Sequence, residues 1–307
     1  MVGVCISGGG AKIGFAVGVM ERMRDKGIHP TLVSGISSGS ICTAGLCYGD
    51  LDILREKLLS IKSRKDVLNR QLLKVVWTLF SGIGQADGLY GMGIMRRKLE
   101  DLPHQTPRIQ GIVGYVELKS GEMVYVTTQD KGMTKEKFLD AVQASCSIPA
   151  SMQTQRVDSE VRVDGGVKDV LPLKRLIRDP FQQVDEIHVI SLSPLKDPLP
   201  PDAKFTNILQ VSLRSIDVMV TEVLLNDLET AEFFNDLLSM APQLGSALQS
   251  RLAGKRKIRF FKYFPKDRIC DTTDFCEANI RKGIEHGHLI ADQVLSSYTP
   301  LENDPPS

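Results

Sequence analysis

Apolar and polar positions alternate along the chain so that short apolar runs are separated by longer segments with helical spacing. Residues 2–6 (Val-Gly-Val-Cys-Ile) form an apolar run of strand length, the kind that is buried on both faces of a parallel sheet. Ser7-Gly8-Gly9-Gly10 follows, then a helical pattern over 11–26 with Ala16, Val19, Met20 and Met23 on one face. Gly14 and Gly18, one turn apart, predict a close approach of that helix to the sheet, and Gly27 marks its end. Residues 31–33 predict a second short strand, and the small residues after Ser37 predict another helix. This opening reads as βαβ followed by a helix, the start of a doubly wound α/β fold.

Further along, residues 51–70 carry the pattern of a charged amphipathic helix. Residues 72–83, which hold the only tryptophan, Trp77, are strongly apolar and give way to a glycine-rich stretch. A helix is expected over 93–102 and a hairpin over 109–128, turning at Lys119-Ser120-Gly121-Glu122. Thr134 reads as the cap of a helix that runs to about Cys146, and Pro149 stops any continuation. Short strands are expected at 161–163 and 186–192, a long helix over 208–240 and a terminal helix over 275–295. The whole reads as one α/β domain over 1–296 with a helical insertion near 60–105, closed by a loose tail over 297–307.

Composition narrows the function classes. Of 307 residues, 42% are hydrophobic and 24% charged, with 38 basic against 37 acidic, which leaves no global field to steer nucleic acid. No nucleic-acid partner is expected. The first residues lack a positive n-region and no apolar run is long enough to span a bilayer, so a cytoplasmic location is expected. The cysteines at 5, 42, 47, 146, 270 and 276 fit no zinc spacing, although Cys270 and Cys276 are near enough in sequence to pair. Neither a metal nor a cofactor is expected.

The candidate chemistry lies at three places. Gly35-Ile36-Ser37-Ser38-Gly39 is a G-x-S-x-G pattern between an apolar run and a helix, the context of a nucleophile elbow. Of its serines only Ser37 has a glycine two positions away on both sides. The alternative is a Gly/Ser turn without chemistry. Gly8-Gly9-Gly10 would present backbone N–H groups at a helix start. A dinucleotide fingerprint would need glycine where Ile13 stands, and a P-loop would need Gly-Lys-Ser/Thr. An oxyanion hole and a plain structural turn remain. A serine also needs a base. Among the histidines (29, 104, 188, 286, 288), His286 and His288 satisfy the Ser–acid–His order of an α/β-hydrolase, but both sit on the terminal helix. Asp164-Gly165-Gly166 directly follows a strand and puts a carboxylate at a strand end.

Taken in order, Ser-Gly-Gly-Gly-Ala-Lys, Gly-Ile-Ser-Ser-Gly and Asp-Gly-Gly resemble the patatin-like phospholipases. Ala144-Ser145-Cys146-Ser147-Ile148-Pro149 is similar to the family's Ala-Ser-x-x-Ile-Pro stretch, and the Ser120-Gly121-Glu122 hairpin to its Thr/Ser-Gly-Glu hairpin. The resemblance covers residues 1–195, and Gly283 and Gly287 extend it to the closing helix. It implies a three-layer αβα patatin-like fold with a mostly parallel central sheet. It also implies a Ser37–Asp164 dyad, with Gly8, Gly9 and Gly10 as the oxyanion hole. Lys12 takes the family loop's basic position, although Ile13 then stands where the family usually has glycine. Gly35, Gly39, Gly165 and Gly166 would shape the two turns. The implied activity is hydrolysis of acyl esters in phospholipid or lysophospholipid, with Asp164 raised above the usual carboxylate range by desolvation. The rival readings are a Ser-Asp-His esterase and a non-catalytic lipid- or phosphate-binding protein. Peripheral membrane contact is expected, through residues 72–83 as a lid or anchor if they are not core. Residues 251–268, with eight cations and four aromatics, would meet anionic headgroups or nucleic acid if not a solvated edge.

Overall fold

In the computed structural model of the chain, residues 1–71, 88–157, 159–177, 184–196, 198–199, 204–206, 208–240 and 257–300 are described. Strand β1 (Val2–Ile6) passes through the glycine loop into a 3-10 turn (Gly10–Ile13) and helix α1 (Gly14–Asp25). Strand β2 (Leu32–Gly35), α2 (Ser38–Tyr48) and α3 (Leu51–Leu59) follow. The helix expected over 51–70 stops at Leu59. Beyond it the Asp66 carboxylate accepts the N–H groups of Lys62 and Ser63, each at 2.9 Å, and holds a separate turn. Strand β3 (Asn69–Arg70) closes this stretch. The segment 72–83, Trp77 included, lies outside the described residues.

Strand β4 (Gly88–Gly91), α4 (Gly93–Glu100), the hairpin strands β5 (Gln110–Glu117) and β6 (Glu122–Thr127), and α5 (Lys135–Ser145) come next. Thr134 caps α5 by accepting the Lys137 N–H at 3.3 Å. Strands β7 (Ala150–Met152), β8 (Gln155–Val157) and β9 (Glu160–Asp164) precede α6 (Leu173–Ile177) and β10 (Glu186–Ile190). The chain then forms α7 (Ile208–Met240), β11 (Arg259–Tyr263) and α8 (Glu277–Val294). The described part of 60–105 therefore contains strands as well as a helix, and β3, β4 and β7 make a small second sheet.

The main sheet has the order β11-β10-β1-β2-β5-β9-β8, with β6 also paired to β5. Strands β11, β10, β1, β2 and β5 run parallel. Their side chains alternate between two cores. Val4, Ile6, Val33 and Val113 face the layer built by α1–α5 and α8. Cys5, Leu32, Ile112, Ile187 and Val189 face α6 and α7. This is a three-layer αβα arrangement, and burial on both faces explains why the strands read as unbroken apolar runs.

Strand β5 decides where the site falls. One of its edges is taken by β6 from Ile112 to Glu117. The other edge is shared, with β2 pairing parallel along 110–113 and β9 pairing antiparallel along 115–117. Strands β2 and β9 therefore run toward each other and stop two residues apart, at Gly35 opposite Val113 and Asp164 opposite Tyr115.

Gly14 and Gly18 pack against α8 rather than the sheet. A Cβ at Gly14 would lie 2.4 Å from the Ile280 carbonyl oxygen, and one at Gly18 would lie 2.1 Å from that of Ile284. All six cysteines are free thiols, so Cys270 and Cys276 are not bridged. The basic stretch enters the sheet as β11. Among its described cations, Arg259 pairs with Glu186, Lys262 with Glu232, and Arg268 with Asp217 and Asp271.

Candidate active site

Ser37 sits between the end of β2 and the start of α2 with φ 55° and ψ −128°, a conformation that L-residues rarely adopt. Several contacts hold it there. Its N–H donates to Ser145 Oγ at 2.9 Å, and its carbonyl accepts from Ser40 Oγ at 2.5 Å and Cys146 Sγ at 3.1 Å. The flanking glycines are sterically required: a Cβ at Gly35 would lie 2.2 Å from the Gly39 oxygen, and one at Gly39 would lie 2.3 Å from the Ile6 oxygen. The turn is therefore an elbow whose geometry is fixed from three sides, with the side chain only 6% exposed.

Asp164 ends β9. Its N–H donates to the Ser147 carbonyl at 3.0 Å, and Oδ1 accepts from the Gly166 N–H at 2.8 Å. A Cβ at Gly165 would lie 2.6 Å from the Gly114 oxygen, so this turn also leaves no room for a side chain. Oδ2 is buried and has no hydrogen-bond partner among the described residues. Burial pushes the carboxyl up to about 7, opposed by the nearby Ser37 hydroxyl and the Gly166 N–H. The hydroxyl thus lies near the carboxyl without meeting hydrogen-bond geometry in this state.

The glycine loop lies on the other side of Ser37. A Cβ on Gly8 would stand 3.0 Å from Ser37 Cβ and 3.6 Å from Oγ, so this backbone passes directly over the serine. Gly10 has φ 60°, and a Cβ there would lie 2.0 Å from the Thr272 oxygen. The Ser7 N–H donates to Ile190 O, and Ser7 Oγ accepts the Leu192 N–H, anchoring the start of the loop. Ala11 N–H donates to Thr272 O at 2.9 Å and anchors its end. Between these anchors, the N–H groups of Gly8, Gly9 and Gly10 donate to no acceptor among the described residues. Lys12 is buried, with Nζ donating to Ser193 Oγ at 2.8 Å.

Ser37, Asp164, Gly8, Gly9, Gly10, Lys12 and Gly166 line one cleft of about 60 Å³, whose apolar wall includes Val167 and Val170 together with Ile216 and Val220 of α7. No histidine lines it. His188 is buried between Glu186 and Tyr263, His286 stands against the Phe15 ring, and His288 bonds Glu21. The structure thus brings Ser37, Asp164, Gly8, Gly9, Gly10, Lys12 and Gly166 together and leaves His286 and His288 elsewhere. Sequence reasoning does not reveal the part played by residues 145–147. Ser145 and Cys146 hold the Ser37 backbone, and Ser147 holds that of Asp164. The Ala-Ser-x-x-Ile-Pro stretch marks these residues without saying what they touch.

Residues 4–177 match the patatin-like phospholipase family, and this match spans more than half of the chain. The chain belongs to that family. All four motifs of the patatin-like site, from the glycine loop to Asp164-Gly165-Gly166, fall inside the matched stretch. The chain is also similar to VipD from Legionella pneumophila, with a TM-score of 0.48 and 14% identity. That similarity covers 96% of this chain and 66% of VipD, so this chain spans about two-thirds of VipD's length. Among the described residues, no helix is long and apolar enough to cross a membrane.

Proposed function

We propose that the protein hydrolyses acyl esters of phospholipid or lysophospholipid through a Ser37–Asp164 dyad without histidine. The observation that carries this reading is Asp164 Oδ2, a buried and unpartnered carboxylate oxygen beside the hydroxyl of a strained serine elbow. A carboxyl raised to about 7 is matched to proton transfer near neutral pH, where an ordinary one is too weak a base. In the first step Asp164 takes the Ser37 proton as Oγ bonds to the ester carbonyl carbon. Negative charge moves to the carbonyl oxygen, where the free N–H groups of Gly8, Gly9 and Gly10 would receive it. Collapse breaks the bond to the alcohol, which leaves with the proton held by Asp164. Water then attacks the acyl-serine as Asp164 takes its proton, and collapse breaks the bond to Oγ, which regains that proton from Asp164 as the fatty acid departs.

The strained elbow favours this chemistry because its geometry is set before substrate arrives, by Ser145, Ser40 and Cys146. A cleft of about 60 Å³ accommodates the ester and a few methylenes, so most of a lipid would remain outside it. The rim supports peripheral membrane contact, since Val167, which lines the cleft, is more than half exposed. We read residues 1–296 as the single domain that carries the activity. β1, β5 and β11 share one sheet, and α8 packs its Gly283 and Gly287 on α1.

The test is fatty-acid release from a panel of phospholipids and lysophospholipids by the wild type, Ser37→Ala and Asp164→Asn. Release by the wild type and loss by orders of magnitude in both variants is the expected result. Undiminished release by Asp164→Asn would refute the dyad, and undiminished release by Ser37→Ala would refute the nucleophile.

A further inference from the structure

A second cavity, larger than the cleft at Ser37, lies apart from it among the described residues. It measures about 400 Å³ and lies between the turn after α3, strands β3 and β4, and the start of α8. That is within the range of small-molecule sites. Among the described residues its walls are unusually basic for a chain of net charge +1: Lys62, Arg64, Lys65 and Arg70 against one acid, Asp274.

The cations differ in how they are engaged. Lys62 pairs with Glu277. Arg64 is held rigid, with Nε donating to Thr273 O at 2.6 Å, Nη1 donating to Tyr90 Oη at 3.0 Å, and its guanidinium 5.7 Å from the Tyr90 ring centre. A guanidinium fixed in this way is a preorganised fork for an oxyanion. The side chains of Lys65 and Arg70 have no hydrogen-bond or ion-pair partner among the described residues, although both line the cavity. Asp66 in the same turn, Asp274 and Glu277 are the acids set among these four cations, and Glu277 is shared with Arg281, so the charge here stays net positive. A phosphate monoester carries about −1.5 to −2 at neutral pH and offers three acceptor oxygens to Arg64, Lys65 and Arg70 together, where a carboxylate offers two.

The cavity also has an apolar side. Leu68 and Phe275 line it, and the same two residues line a narrow seam of about 30 Å³ that reaches Ser37. Met92, Met95 and Met152 form much of that seam, and methionine side chains rearrange readily around a ligand. Leu68 and Phe275 thus form a wall shared by the cationic cavity and the apolar seam at the serine.

We propose that this cavity is a phosphate-monoester site that takes the head of a single-chain amphiphile, with the hydrocarbon packed on Leu68 and Phe275 toward the seam. The anion half stands on the cavity alone, and the chain half rests on the hydrolase reading of Ser37. Calorimetric titration of the full-length Ser37→Ala protein tests both without turnover. The probes are dodecyl phosphate and a dodecyl glycoside, each below its micellar concentration, and inorganic phosphate. The expected result is one dodecyl phosphate per chain, bound at least tenfold tighter than either other probe and weakened by added salt. Lys65→Gln/Arg70→Gln should lower that affinity at least tenfold with an unchanged melting temperature. Lys26→Gln/Lys131→Gln, which removes the same charge far from the cavity, should not. Equal affinity for the glycoside, or indifference to Lys65→Gln/Arg70→Gln, overturns the site. Inorganic phosphate bound as tightly as dodecyl phosphate overturns the lipid half and assigns the cavity to free phosphate. Ester hydrolysis surviving in Ser37→Ala would defeat the dyad while leaving the calorimetric result intact, so the two failures are distinguishable.

Discussion

If Asp164 is the base, its ionised form should weaken the fold, and replacing it should reveal by how much. Its carboxyl is 5% exposed and is pushed from 3.8 to about 7 by burial. At about 1.4 kcal/mol for each tenfold change, the ionised group is about 4 kcal/mol less favourable in the folded protein than in the unfolded chain. The sign follows from proton counting. Between pH 3.8 and 7 the folded state keeps a proton that the unfolded chain has released, so stability falls as pH rises through this window. The penalty is absent below the lower value and complete above the upper one. Asparagine does not ionise, so Asp164→Asn should be more stable than the wild type by a margin that grows by about 2–3 kcal/mol between pH 5 and pH 8. Asp169 is also raised to about 7, by burial and the neighbouring Asp227, but it is present in both proteins and cancels in the comparison. Urea unfolding of the two proteins at pH 5, 6.5 and 8 measures the margin. The same ionisation requires wild-type kcat/KM to rise with pH through about 7. A stability margin that stays constant across this range would refute the raised carboxyl and with it the reason Asp164 can act as a base.

Further outcomes follow from the surrounding geometry. Ser145→Ala leaves the buried Ser37 N–H without its acceptor, which should cost about 1–3 kcal/mol of stability and lower kcat more than KM. Ser145→Thr, which keeps a hydroxyl, should recover part of kcat, and an unchanged kcat in the alanine variant would remove Ser145 as a positioning residue. Gly18→Ala drives a Cβ to 2.1 Å from the Ile284 oxygen and should destabilise by about 3 kcal/mol in urea unfolding. A neutral result would mean that α1 and α8 separate without cost. His286→Ala and His288→Ala should each leave steady-state turnover within about twofold of wild type, because neither ring lines the cleft. A loss of orders of magnitude in either would restore the Ser-Asp-His reading.

The features legible from sequence are those whose physical cause is local. Ser37 stands out because an elbow this tight excludes side chains at Gly35 and Gly39, and that requirement is written within five residues. Asp164 stands out because the turn after it needs glycine against Gly114. What brings the two together is not local. Strands β2 and β9 end against each other on one edge of β5, and the antiparallel direction of β9 leaves no mark in a short apolar run. The glycine pair on α1 announces a close approach but not its partner, which proves to be α8. The end of α3 is masked by the continuing charge pattern, since a side-chain carboxylate at Asp66 rather than a helix breaker redirects the backbone. The basic stretch looks like a contact surface in isolation, yet Arg259 meets an acid of β10, and Lys262 and Arg268 meet acids of α7. Strands of two or three residues, β3 and β7 among them, are too short to carry a readable alternation.

The central claim is that Ser37 carries the acyl group. Reacting the protein with a fluorophosphonate and locating the adduct by peptide mass spectrometry tests it most directly. The account predicts a single adduct on Ser37, formed faster as pH rises through about 7, absent in Ser37→Ala and strongly slowed in Asp164→Asn. An adduct on another serine, or lipid hydrolysis with Ser37 unlabelled, would contradict it.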